Sequence, residues 1–240
     1  MRQPLEPAAK LLLGGRSFSS DMKTAQECRA SAPEVTLPEV LQWLVVSVTM
    51  VLTLLLSACG AARPNKYYAL ELPSGQPASS ATLPVSLLVG RIAAPHVFRD
   101  DRIVYRSGNT ELGTYEYHRW AEPPTEMLEA MLIRLLRDSG RYQSVQTQSS
   151  NARGDYILRG RLSDLEELSG PPLMARVAFE IELYDVKNGT TVWSQHYSHD
   201  EPVQSKQVSA VVEALTRNVH VGLQQITAGL DQYFTSHPPK

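Results

Sequence analysis

Cysteine is nearly absent from this 240-residue chain, which has only Cys28 and Cys59. Two thiols so far apart in sequence give no cysteine cluster for a structural zinc and no disulfide framework. Aromatic residues are sparse at 7%. Charge of one sign is lacking too, with 23 Lys and Arg against 25 Asp and Glu. A net charge of −2 leaves no electrostatic footprint for nucleic acid. Glycine-rich phosphate loops are missing, and Gly14-Gly15 lacks the pattern of one. No Gly-x-Ser-x-Gly nucleophile turn occurs. His196 and His199 lie three apart on a predicted strand, so they point to opposite faces rather than to one metal. Asp100-Asp101 reads as a loop pair, since adjacent carboxylates seldom converge on one substrate. Asp164, Glu166 and Glu167 read as a solvated strand edge. Nothing in this set supports general acid–base catalysis, so no enzyme is expected, and neither metal nor cofactor.

What the chain does have is one long apolar run. Val40 to Ala58 is apolar apart from Gln42 and a few Ser and Thr, and it ends in Leu54-Leu55-Leu56-Ser57-Ala58-Cys59-Gly60. That ending resembles a bacterial lipobox. Small residues before the cysteine let a signal peptidase grip the backbone. The Cys59 thiol is then expected to carry a diacylglycerol, palmitate-type chains included, and its new amino group an N-acyl chain. Each buried methylene contributes roughly 0.8 kcal/mol, and two or more chains make an anchor stable. Gly60 in place of Asp implies the periplasmic face of the outer membrane. A retained transmembrane helix is the other reading, with the domain held in the periplasm from the inner membrane, because about 20 apolar residues span a bilayer. The leader exceeds the usual 15–30 or so residues, and Met22-Lys23 is a more natural start.

Residues 1–58 hold five basic residues (Arg2, Lys10, Arg16, Lys23, Arg29) and five acidic ones (Glu6, Asp21, Glu27, Glu34, Glu39). The remainder keeps 18 basic and 20 acidic residues. Four segments follow: a leader over 1–58, a lipidated tether over 59–84, a folded domain over 85–236 and a tail over 237–240. The tether is rich in Ala, Pro, Ser and Gly and reads as a flexible coil. Tyr67-Tyr68-Ala69-Leu70 interrupts it as a short edge strand or a partner contact.

Periodicity places the rest. Strands are predicted at Val85–Ile92, Ile103–Arg106, Leu112–Trp120, Tyr142–Thr147, Asp155–Leu165, Ala175–Leu183 and Thr191–His199. In Leu112–Trp120 the alternation puts Tyr115 and Tyr117 opposite His118. A helix should begin at Pro123-Pro124 and stop at Ser139-Gly140, with Met127, Leu128, Met131, Leu132, Leu135 and Leu136 as its apolar stripe. A second runs from about Ser205 to Phe234, with a stripe from Val208 to Phe234. The Lys187-Asn188-Gly189 turn is expected as a three-residue loop pairing Val186 with Thr190, Leu183 with Trp193 and Phe179 with Tyr197, because that register buries both aromatic rings. The fold expected is α/β, a single domain with a mixed, mainly antiparallel sheet packed against two main helices through its Val177/Phe179/Ile181 face.

Four pieces carry a resemblance: Tyr67-Tyr68-Ala69-Leu70 after the lipobox, the Val85–Ile92 strand, Arg102-Ile103-Val104-Tyr105, and His118-Arg119-Trp120-Ala121-Glu122-Pro123 leading into a helix. Over about 59–235 the chain resembles the ABC-type transport auxiliary lipoproteins, the PqiC-like proteins. The resemblance implies a TolB-like domain that works beside an MCE-domain protein and ABC transporter subunits, moving lipids or other apolar cargo between membranes, with several copies in a ring. Its implied partner contacts are Tyr67, Tyr68, Leu70, Arg119, Trp120 and Glu122. Trp120 is also expected as a buried plug between strand and helix, and Arg119 with Glu122 as an ion pair fixing that corner. The competing class is an envelope-assembly or membrane-integrity lipoprotein, TolB-like or of the secretin-pilot type, with no transport partner.

Overall fold

The computed structural model describes residues 38–56, 63–71 and 82–238, with only the backbone of 54–56. The Cys59 thiol and its neighbours Ser57, Ala58 and Gly60 lie outside the described residues. The chain divides into two units, Met1–Ala61 and Ala62–Lys240.

The first unit contributes one helix, α1 (Glu39–Leu56). Its 18 residues rise about 27 Å, a little under the roughly 30 Å of a bilayer's hydrocarbon core. Among the described residues no helix is long and apolar enough to cross a membrane. Ser47 Oγ donates to the Trp43 carbonyl and Thr53 Oγ1 to that of Thr49, which keeps the hydroxyls satisfied within the helix itself.

In the second unit the sheet is built on β6 (Tyr156–Ser169). One edge of β6 takes two parallel strands in line. β2 (Leu83–Ala93) pairs with its first half and β3 (Arg102–Ser107) with its last four residues. The eight residues between them leave the sheet through a single 3-10 turn, His96–Phe98, whose Phe98 is buried. The other edge of β6 takes β7 (Met174–Asp185), and β7 takes β8 (Thr190–Pro202), both antiparallel. Outward from β2 lies β5 (Tyr142–Thr147), parallel. Outward from β3 lie β4 (Glu111–Trp120), antiparallel, and β1 (Lys66–Tyr68), parallel to β4. The sheet is therefore mixed, and its longest ladders are antiparallel.

Two helices cover one face. α2 (Pro124–Asp138) packs on β2 and β5, and α3 (Val208–Ser236) on β7 and β8. Every residue of the predicted α2 stripe is buried, as is the α3 stripe from Val211 to Phe234. Val177, Phe179, Ile181 and Leu183 are fully buried beneath α3. Gly222 sets the spacing: a Cβ there would sit 2.6 Å from Tyr197 Cδ1 and 2.8 Å from Phe179 Cζ. Asn218, also fully buried, closes the same layer. Its Oδ1 accepts from the Tyr197 hydroxyl at 2.6 Å, and its amide donates to the carbonyls of Ala175 (3.0 Å) and His199 (2.9 Å).

The hairpin holds the expected aromatic register, Leu183 opposite Trp193 and Phe179 opposite Tyr197. Its loop differs. Asp185 pairs with Thr190, so the loop is four residues long, and a register shift just beyond Tyr184–Thr191 restores the pairing. Asp185 explains the longer loop: its carboxylate accepts from the backbone of Lys187 and Asn188 and from the Asn188 amide. Gly189 takes the left-handed position at φ 70. Trp193 is only half-buried there.

Asp164, Glu166 and Glu167 do not form a solvated edge. β6 is central and paired on both sides, so Glu166 (0% exposed) and Glu167 (5%) are buried.

Candidate functional site

The segment that follows Cys59 enters the domain at β1. Tyr67 pairs with Arg119 and Tyr68 with Trp120, and the Ala121 amide donates to the Tyr68 carbonyl at 2.7 Å. Residues 66–68 thus belong to the sheet. The predicted partner residues gather at this corner but divide by exposure. Tyr67 and Glu122 are exposed, and Tyr68 and Arg119 half-buried. Leu70 and Trp120 are enclosed by the domain, Trp120 at 1% exposure. The Leu70 amide donates to Met127 Sδ at 3.4 Å, tying this segment to α2.

The expected Arg119–Glu122 pair does not form. Arg119 instead donates from Nη1 to both oxygens of Asp101, at 2.9 and 3.1 Å. The Trp120 amide donates to the Asp101 carbonyl at 2.6 Å. The reason is geometric: Arg119 lies opposite Arg102 in the β3–β4 ladder, beside Asp101, whereas Glu122 has already turned toward α2. Asp101 was legible only as a loop carboxylate.

Beside this corner the rings of Tyr68, His118, Tyr115 and Tyr105 form a row. Their centroids are 5.7, 5.8 and 5.3 Å apart in turn. Strict alternation would put Tyr115 and His118 on opposite faces. A register break in β4 between Thr114 and Arg119 brings them together. The Tyr68 hydroxyl lies 2.9 Å from His118 Nδ1. Burial, then the Lys66 charge, holds His118 below its ordinary range. At the inner end Tyr115 donates to Glu167 at 2.5 Å, and Ser169 donates to the other Glu167 oxygen at 2.6 Å. Burial, then that carboxylate, pushes the Tyr115 phenol well up.

The sheet face turned away from α3 carries a charge ladder that the sequence pattern did not reveal. Glu166, Arg176 and Asp200 lie directly opposite one another on β6, β7 and β8. Arg106 donates to both oxygens of Glu166 (2.5 and 3.1 Å), and Arg176 to both of Asp200 (2.7 Å each). Burial raises the Glu166 carboxyl more than Arg106 lowers it. The Arg176 hydrogen bond holds Asp200 below its usual value.

A cavity of about 1040 Å³ lies elsewhere, at the carboxyl ends of β2 and β5 and the first turns of α2. Among the described residues no group of three or more His, Cys, Asp or Glu is placed to hold a metal ion. His196 and His199 are both exposed, opposite Glu180 and Val177 respectively.

Comparison with known proteins agrees with this arrangement. The crystal structure of a Xanthomonas campestris protein of the DUF330 family aligns with 68% of this chain and 92% of its own, at 23% identity and a TM-score of 0.61. An uncharacterized protein of known structure aligns with 70% of this chain and 99% of its own, at 15% identity and a TM-score of 0.57. Both share the fold. No curated protein matches the chain. The model of one family matches residues 68–227, from Tyr68 in β1 to the middle of α3, and so takes in the β1–β4 corner, both helices and the whole sheet from β2 to β8. The chain belongs to the family of ABC-type transport auxiliary lipoprotein components, which is not a class of enzymes.

Proposed function

We propose that this lipoprotein is held at the periplasmic face of the outer membrane by acyl chains on Cys59, where it docks and orients an MCE-domain assembly served by an ABC transporter. Its cargo is lipid or another apolar molecule, and several copies act together. Family membership over 68–227 supports the transport role. The apolar run ending in Ser57-Ala58-Cys59-Gly60 supports the anchor and, through Gly60, the outer membrane. The observation that supports the docking surface is the pairing of β1 with β4, which brings exposed Tyr67 to the same corner of the domain as exposed Glu122.

Two experiments test this. A photo-crosslinking residue at Tyr67 or Glu122 should capture an MCE-domain subunit from envelope membranes, and one at exposed Val221 on α3 should not. Equal capture at both places, or none at Tyr67 and Glu122, counts against the corner. Cys59→Ala should move the protein out of the outer-membrane fraction. Native protein whose first residue lies upstream of Cys59 would instead show a retained helix and an inner-membrane anchor.

A further inference from the structure

β2 has β5 on one flank and β6 on the other, both parallel to it, and the chain visits β5 before returning to β6. Such a reversal leaves a crevice beyond the carboxyl ends of the strands, where open α/β sheets bind ligands. The cavity of about 1040 Å³ occupies that place. Its chemistry comes in three parts. Arg91 and Arg99 line it, both exposed, and among the described residues neither has a carboxylate within 4.0 Å. Glu126 and Glu129 line it from α2. One Glu129 oxygen accepts the Ile92 amide at 2.6 Å, which fixes the side chain at the end of β2. Ala94, Ala130 and Ile133 supply an apolar wall.

These parts suit one kind of molecule. Two guanidinium groups with no carboxylate within 4.0 Å favour a phosphate, which guanidinium grips in a forked geometry, although Arg91 also acts at longer range on Glu129. Carboxylates in the same cavity favour a ligand that also carries an amine. The apolar wall favours a molecule with a hydrocarbon portion. A nucleotide fits poorly, because no aromatic side chain lines the cavity to stack on a base. The third arginine, Arg159, is already engaged over the Tyr184 ring at 4.3 Å.

We propose that this cleft binds the headgroup of an ethanolamine phospholipid, with the phosphodiester at Arg91 and Arg99, the ammonium at Glu126 and Glu129, and the first acyl carbons along Ala130 and Ile133. This deepens the transport reading by naming a lipid class. It is separable from the docking corner, which uses β1 and β4 and none of these six residues.

The test is titration calorimetry on the full-length lipidated protein in a nonionic detergent. The probes are dihexanoyl phosphatidylethanolamine, dihexanoyl phosphatidylglycerol, glycerophosphoethanolamine and inorganic phosphate. The ethanolamine lipid should bind saturably and most tightly of the four. Arg91→Gln with Arg99→Gln should weaken it at least about tenfold while leaving the melting temperature unchanged, since both side chains are exposed and unpaired. Glu126→Gln with Glu129→Gln should remove the preference over the glycerol lipid. Absence of saturable binding, or an arginine variant that binds like the wild type, overturns the proposal. Inorganic phosphate binding as tightly as the lipid means an adventitious ion only. Glycerophosphoethanolamine binding as tightly means a soluble headgroup ligand rather than a lipid. Crosslinking at Tyr67 reads out separately, so loss of lipid binding with crosslinks retained removes this assignment and leaves the docking role standing.

Discussion

Asn218→Ala offers the sharpest test of how α3 is held on the sheet. Asn218 has no exposed surface and makes three hydrogen bonds, one from the Tyr197 hydroxyl and two to the carbonyls of Ala175 and His199. A net hydrogen bond contributes about 0.5–1.5 kcal/mol, and a buried group left without its partner costs about 1–3. Truncation removes all three bonds and strands a hydroxyl and two carbonyl oxygens beneath a helix, so the loss should be about 2–5 kcal/mol. Tyr197→Phe breaks only one of them and should cost about 1–2 kcal/mol. Because the two side chains share a bond, the double variant should fall short of the sum by about 1 kcal/mol. Urea unfolding followed by circular dichroism measures all three, provided the denaturant slope is unchanged. A single variant within about 0.5 kcal/mol of the wild type, a size usual for surface substitutions, would refute the reasoning. So would strict additivity in the double.

Gly222→Ala sets two effects against each other. The helix gains about 1 kcal/mol from propensity, while a Cβ at 2.6 Å from the Tyr197 ring forces repacking that costs about 1–3; the variant should melt below the wild type, and a higher melting temperature would show that α3 approaches less closely. Arg106→Ala leaves Glu166 buried and unpaired and should cost about 2–4 kcal/mol, discounted because Arg106 is about a quarter exposed. Without Arg106 the Glu166 carboxyl rises further, so its charge penalises folding above the ordinary Glu pKa, and the variant's deficit should be larger at pH 7 than at pH 4.5; a deficit independent of pH would place the cost in packing instead. His118, held low in the folded state, contributes stability above about pH 6.5 that is lost as pH falls through its folded value. The urea midpoint should therefore drop between pH 7 and 5 in the wild type more than in His118→Gln, and equal drops would mean that burial and the Lys66 charge do not act on that ring.

The elements, the covered face and the resemblance to the family are legible in the chain alone. Period two in Ala175–Leu183 and steps of three and four in Val208–Phe234 already say which side chains must leave water. Burying Trp193 and Tyr197 with the apolar set selects the pairing of Leu183 with Trp193 and Phe179 with Tyr197, because a one-residue slip would turn both rings to the other face. The lipobox-like run Leu54–Gly60, from which the acyl anchor is proposed, is likewise local in the chain.

Whatever depends on which strands are neighbours comes from the folded sheet. Glu166 and Glu167 read as solvated until β6 proves central, with partners on both edges. Arg119 reads as a partner for nearby Glu122 until the β3–β4 ladder puts Asp101 beside it. The break in β4 that aligns Tyr115 with His118, and the reversal around β2 that opens the cleft, come from pairings between segments distant in sequence. Periodicity reports which face of an element is dry. It carries no information about what stands across from it, and charges and cavities are set by that second fact.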